Sequence, residues 1–254
     1  MVLMVNGLCK SINKVNILKD ISFSINENEI LGLIGPNGSG KSTIMKCIAG
    51  LYHPTSGEIT INGYDIDKDR VNALSNIGVS IEYPALYPNL TGNDHFKMVA
   101  KWKKLDKSRI KEMEDFSGLN DELKKEVRHY SMGMKQRLIL SLAMMTKPKL
   151  LILDEPINGL DPQAIIDLRK KLLDIRNDGT SILLSSHQLS EVDKLVDRII
   201  FIKDGQLISH KTIDELHQKH ISCIKTSDNQ YARKILKDYI VTNDNEYIRL
   251  ECGS

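Results

Sequence analysis

Residues 35 to 42 read Gly-Pro-Asn-Gly-Ser-Gly-Lys-Ser: a glycine, four residues, a second glycine, then Lys and Ser. That spacing suits a loop whose backbone N–H groups wrap around phosphate oxygens. The preceding stretch, Glu29 to Ile34, is apolar and strand-like, and Thr43 through Ala49 is helix-permissive up to Gly50. A strand–loop–helix context adds the partial positive charge of a helix N-terminus at Lys41 and Ser42. Gly35, Pro36, Asn37, Gly38, Ser39, Gly40, Lys41, Ser42 and Thr43 are therefore expected to line a nucleoside triphosphate. Lys41 is expected to reach the β- and γ-phosphates, and the Ser42 hydroxyl to ligate Mg²⁺.

A second set of residues points from binding to hydrolysis. Leu150-Leu151-Ile152-Leu153 is a short apolar run bounded by Pro148 and Pro156, which predicts a buried parallel strand. It ends in Asp154-Glu155, and carboxylates at the C-terminal end of a central strand stand where open α/β sheets bind ligands. Asp154 is expected in the Mg²⁺ shell, and Glu155 as the group that polarises the attacking water.

Further motifs complete a resemblance. Ser131-Met132-Gly133-Met134, followed by Lys135-Gln136-Arg137, is similar to the signature of ABC transporter ATP-binding subunits; Asn158-Gly159-Leu160-Asp161 resembles their D-loop, and His187 their switch histidine. These elements occur in the family's order, over residues 1 to about 215. Ser131 is also a good N-cap for a helix expected from about Gly133 to Thr146. The resemblance implies catalysis of ATP hydrolysis by Glu155, His187 and Lys41, with Ser131, Gly133 and Asp161 added to the nucleotide contacts. It implies that two copies sandwich two ATP molecules head to tail, each capped helix facing the γ-phosphate on the other copy. It also implies separately encoded transmembrane permease subunits as partners.

Three departures from the family pattern narrow the expectation. Where most members carry a glutamine that contacts Mg²⁺ and touches the membrane subunit, this chain has Glu82, followed by Tyr83-Pro84-Ala85-Leu86-Tyr87-Pro88. A glutamate with that Pro-aromatic-Pro run resembles the lantibiotic self-immunity and bacitracin-resistance subgroup. Glu is an acceptor-only anion and a hard Mg²⁺ ligand, whereas Gln offers both donor and acceptor. At the adenine, the family's aromatic residue is replaced by Ile12, which covers a base without stacking, so weak discrimination of ATP over GTP is expected. Met132 and Met134 replace a glycine and a glutamine of the signature, changes the subgroup shares.

The elements that must position these residues are legible in outline. The resemblance and the pattern together predict an α/β fold: a P-loop NTPase core, being a RecA-like mixed sheet with an N-terminal antiparallel β layer. A helical subdomain carrying the signature is expected over about 89–147, and a small C-terminal α/β extension over 216–254. Strands are expected at 2–8, 20–25, 57–61, 77–81, 150–153 and 180–185, with hairpins at Asn62-Gly63 and Asp204-Gly205. Asp161 and Pro162 predict a capped helix running to about Arg176. The tail predicts a linking helix Ile213–Lys219, then strand Ile221–Thr226, helix Gln230–Lys237 and strands Tyr239–Val241 and Tyr247–Glu251.

Composition sets the remaining bounds. The 35 basic and 33 acidic residues of the 254 give a net charge of +2, which implies no broad polyanion-binding surface and no nucleic-acid partner. No apolar run approaches the ~18 residues of a membrane span, and Met1 to Asn6 lacks the start of a signal peptide. The scattered Cys9, Cys47, Cys223 and Cys252 have neither metal nor redox spacing, so reduced thiols are expected. The chain is expected at the cytoplasmic face of a bacterial plasma membrane, held there by its permease, which rather than this chain handles the peptide antibiotic. An exporter motor for another substrate, a soluble ABC ATPase and a purely regulatory binding protein stay open as alternatives.

Overall fold

The computed structural model describes residues 1–82, 86–213, 215, 220–224, 240–243 and 248–252. They form two compact units, Met1–His210 and Lys211–Ser254. Of the tail's expected pieces, the helix Gln230–Lys237 and most of the helix Ile213–Lys219 lie outside the described residues.

The chain opens with β1 (Leu3–Ile12) and β2 (Val15–Ile25), then β3 (Ile30–Ile34), α1 (Lys41–Ile48), β4 (Ser56–Ile61) and β5 (Tyr64–Asp65). After α2 (Arg70–Ser75) and β6 (Ile77–Ser80) come three longer helices, α3 (Gly92–Lys103), α4 (Lys107–Ser117) and α5 (Met132–Ala143). The chain then returns through β7 (Leu150–Leu153), α6 (Pro162–Asn177), β8 (Ser181–Ser186), α7 (Leu189–Val192), β9 (Arg198–Lys203) and β10 (Gln206–Thr212). In the second unit, β11 (His220–Ile224), β12 (Ile240–Asn243) and β13 (Ile248–Cys252) form an antiparallel sheet in the order β11-β13-β12.

In the first unit a four-stranded sheet, β2-β1-β4-β5, is antiparallel throughout. A six-stranded sheet runs β10-β9-β3-β8-β7-β6, and β9, β3, β8, β7 and β6 are mutually parallel. Every residue of β3, β7 and β8 is buried; β3 and β7 read as near-continuous apolar runs, while β8 carries Ile182 to Leu184 between buried serines. The two sheets enclose one core, where Ile44, Met45 and Ile48 of α1 meet Leu3, Ile21 and Ile61 on one side and Leu33, Ile152 and Leu183 on the other. A second apolar cluster, with Phe96, Met113, Leu123 and Leu138, holds α3, α4 and α5 together.

Several boundaries differ from expectation. The first hairpin is longer than 2–8 and 20–25, because polar residues continue the ladder, as in Ser11↔Asn16, to a turn at Asn13 and Lys14. Both turn residues have positive φ, 49° and 67°. The signature helix is α-helical only to Ala143 and tightens into a 3₁₀ turn over Met144–Thr146. The expected hairpin turns occur, with φ 49° and 84° at Asn62-Gly63 and 51° and 74° at Asp204-Gly205.

Candidate functional site

All five parallel strands point their C-terminal ends the same way, and the chemistry gathers there. Gly35 follows β3, Glu82 follows β6, Asp154 and Glu155 follow β7, and His187 follows β8.

The phosphate loop is shaped by close packing. A Cβ on Gly35 would collide with the Ile202 carbonyl and stand 2.8 Å from Ser39 Oγ. At Gly40, φ is 109° and a Cβ would lie 2.7 Å from Leu18 Cδ2, so neither position accepts a side chain. The β9–β10 turn props the loop from behind, the Gly205 N–H donating to Ser39 O at 3.0 Å. In front, a Cβ on Gly38 would meet nothing within 4 Å.

The helix that follows has no side-chain cap, and helix geometry leaves its first-turn N–H groups without carbonyl partners. Ser39 Oγ is buried and unpartnered. An open concave loop with unsatisfied donors fits a chain of phosphates.

Lys41 is only 6% exposed. Its ammonium donates to Gly35 O at 2.7 Å and Pro36 O at 3.3 Å, and stands 3.4 Å from Glu155 Oε1. A buried cation is tolerable only with such partners. The other oxygen of Glu155 meets His187 Nδ1 at 2.9 Å. Glu155 Oε1 is buried and accepts no hydrogen bond, so one carboxylate oxygen is oriented by the imidazole and the other keeps a lone pair free beside the ammonium.

Ser185, which the sequence reading missed, holds the Asp154 carboxylate and the Glu155 backbone. Its hydroxyl donates to Asp154 Oδ1 at 2.5 Å and accepts from the Glu155 N–H at 2.8 Å. The Asp154 N–H donates to Ser80 O at 2.8 Å, tying the strand ends together. Glu155 has φ 48°, a conformation that non-glycine residues seldom take and that recurs at functional sites.

Glu82 also has positive φ, 58°, and its carboxylate is hydrogen-bonded to Lys46 of α1, a partner the sequence did not suggest. Residues 83–85, including Pro84 of the Pro-aromatic-Pro run, lie outside the described residues. Beyond them, the buried His95 accepts the Tyr87 N–H at Nε2 (3.0 Å) and bonds Thr91 O through Nδ1 (2.8 Å).

Met132, Lys135 and Gln136 of the signature stretch line a cavity of about 410 Å³ together with Glu82, Asp154 and Glu155, whereas Ser131 and Gly133 face another side. Ser131 caps α5, its hydroxyl accepting the Met134 N–H at 3.2 Å, and Asp161 caps α6 through the Ala164 N–H at 2.9 Å. A Cβ on Gly133 would lie 3.3 Å from that of Ala164. Ser131, Gly133 and Asp161 line a shared cavity of about 200 Å³ whose lining includes no phosphate-loop residue. Ile12 sits at the exposed tip of the β1–β2 hairpin, beyond the Leu18 that packs on Gly40.

Among the described residues no group of three or more His, Cys, Asp or Glu could hold a metal by itself. Mg²⁺ suits a different arrangement, with one or two carboxylates, waters and the substrate's own phosphates. The hydroxyl of Ser42 and the carboxylates of Asp154 and Glu82 are donors of that hard kind.

The family model for ABC transporters matches residues 18–158. The chain belongs to the ABC transporter ATP-binding family. As a member it binds and hydrolyses ATP, and such subunits work as dimers with separate transmembrane permeases. It is 40% identical over 225 residues to the uncharacterized ABC transporter ATP-binding protein YdbJ of Bacillus subtilis, covering 87% of this chain and 73% of the relative. The lantibiotic transport ATP-binding protein SrtF of Streptococcus pyogenes is 42% identical over 212 residues, 84% of this chain and 91% of its own. The bacitracin transport ATP-binding protein BcrA of Enterococcus faecalis is 37% identical, covering 91% and 76%. A solved structure of the ATP-binding subunit of an ABC transporter superposes with TM-score 0.78 at 32% identity, over 86% of this ABC subunit and 92% of that chain.

Proposed function

We propose that this ABC subunit powers export of a lantibiotic or a similar peptide antibiotic, using Glu155 as the base that activates water. The observation that carries the catalytic part is the Lys41–Glu155–His187 cluster, with contacts of 3.4 and 2.9 Å at the open mouth of the phosphate loop. Lys41 exchanges its loop carbonyls for the β- and γ-phosphates. Glu155 accepts a proton from water through its unpaired oxygen, and His187 holds the carboxylate in place. Ser42, Asp154 and Glu82 would hold Mg²⁺, which supplies charge neutralisation for the phosphates.

Ser131, Gly133 and Asp161 contact nucleotide across the interface with a second copy, head to tail. Their grouping in a cavity apart from the phosphate loop supports a site that one copy does not complete. The permease is assigned to an apolar groove of about 470 Å³ between the sheet edge and the helices, lined in part by Leu74, Leu86, Tyr87, Trp102 and Leu142. Trp102 is 66% exposed, and Leu86 and Tyr87, close after Glu82 in sequence, line the same groove. Through that permease the subunit is held at the cytoplasmic face of a bacterial plasma membrane. No helix among the described residues is long and apolar enough to cross a membrane.

The peptide-antibiotic assignment draws support from Glu82 and from the names borne by SrtF and BcrA. Expression of this chain with its own permease in a sensitive host tests it. Survival against lantibiotics should rise, and Glu155→Gln should abolish the gain; no gain with an active ATPase points to another exported substrate.

A further inference from the structure

Lys46 lies on the same helix as Lys41, in its last turn. Its ammonium is bonded to the Glu82 carboxylate; 18% of the Lys46 side chain is exposed, against 64% of Glu82. The Tyr52 ring centroid lies 5.3 Å from Lys46 Nζ, and the Tyr52 N–H donates to the Lys46 carbonyl at 3.1 Å. An aromatic face and a carboxylate therefore fix this ammonium from two sides. The Glu82 hydrogen bond outweighs the cost of burial and, with the Glu82 charge, holds the lysine above its ordinary pKa.

A neutral residue at position 82 would need no counter-cation. A glutamate adds a full negative charge beside Asp154 and Glu155, at the edge where an ATP polyanion must enter. We propose that Lys46 is a positioning residue for Glu82: it neutralises this carboxylate, ties the loop after β6 to the phosphate-binding helix, and competes with Mg²⁺ for it. The inference rests on Glu82 belonging to the magnesium shell. Glu82 would have to leave Lys46 to take up Mg²⁺ with ATP, so the ion pair and the metal contact would exclude each other.

The test is the Mg²⁺ dependence of binding of a fluorescent, non-hydrolysable ATP analogue to the purified full chain. Lys46→Met keeps the apolar stem and removes the charge. It should lower the half-saturating Mg²⁺ concentration roughly tenfold, the scale of one charge removed at close range. Lys46→Arg should stay within about twofold of wild type, since it keeps the charge. In a Glu82→Gln background, Lys46→Met should shift the midpoint by less than about twofold, because the two residues act as one unit. An equal tenfold shift in that background would mean that Lys46 acts as a general field and not through Glu82, which overturns the proposal. No shift in Lys46→Met also overturns it. Lys46→Gln replaces Lys46→Met if the latter fails to fold. Should the wild-type chain not bind the analogue, the nucleotide-site reading itself falls and this inference with it; binding without the Lys46 effect removes the inference alone.

Discussion

Glu155 and His187 meet at 2.9 Å, carboxylate oxygen to imidazole Nδ1, from the ends of the neighbouring parallel strands β7 and β8. The contact fixes the carboxylate by its Oε2 atom and leaves Oε1 for chemistry. Removing the imidazole as His187→Ala should therefore lower ATP turnover by about 10–100-fold, with nucleotide affinity changed less than about threefold. Steady-state turnover and equilibrium binding of a fluorescent ATP analogue separate the two effects. Equal losses in both would assign His187 to binding rather than to orienting Glu155.

Two defective chains should rescue each other. Lys41→Ala removes the phosphate-loop cation, and Ser131→Arg blocks the signature face. In the head-to-tail arrangement, each variant alone is inactive and the mixture regains one working site per heterodimer. Turnover of the mixed, folded proteins is the readout. No recovery when they are mixed before dimerisation would count against the arrangement.

Glu82→Gln should retain a large part of ATP turnover at saturating Mg²⁺, since the amide still offers an oxygen. Drug resistance conferred by the whole transporter should fall, because the loop loses its charge and its pairing with Lys46. Survival assays paired with turnover of the purified subunit test this. Unchanged resistance would make the residue a tolerated isostere, and the peptide-antibiotic assignment would lose its main chemical support.

Thr91 caps α3 and exchanges hydrogen bonds with Asp94 in a capping box. Thr91→Ala should destabilise the protein by about 1 kcal/mol, read as a lower urea midpoint at an unchanged slope. The Thr91 hydroxyl and N–H hold the Asp94 carboxyl below its usual pKa. Its folded-state value is depressed, so this contribution is present above the unfolded-state pKa and fades as pH falls through the folded one. The gap between wild type and variant should narrow in acid; a gap that widens there would contradict the cap's electrostatic part.

Much of the site was legible because its signals are local. Gly35 to Ser42 fixes a loop by spacing alone, and β3 and β7 are buried on both faces, so their apolar runs need no tertiary information. The hairpin turns at Asn62-Gly63 and Asp204-Gly205 follow from residues that accept positive φ. The outer end of the β1–β2 hairpin did not announce itself, because Asn13 and Lys14 make a turn without glycine.

Long-range pairs were hidden for a different reason. Ser185 reaches Asp154 across 31 residues and Lys46 reaches Glu82 across 36; a serine in a strand or a lysine on a helix carries no mark of its partner. The buried His95, which pins Tyr87 to the start of α3, was equally silent.

The central claim is that this chain hydrolyses ATP with Glu155 as the base. Single-turnover hydrolysis by Glu155→Gln, alongside the oligomeric state in ATP, tests it most directly. The variant should bind ATP as wild type does, because the phosphate loop and Lys41 are untouched. Hydrolysis should fall by roughly 10² or more, and an ATP-bound dimer should accumulate. Near-normal hydrolysis, with no trapped dimer, would contradict the assignment and place the activation of water on another residue.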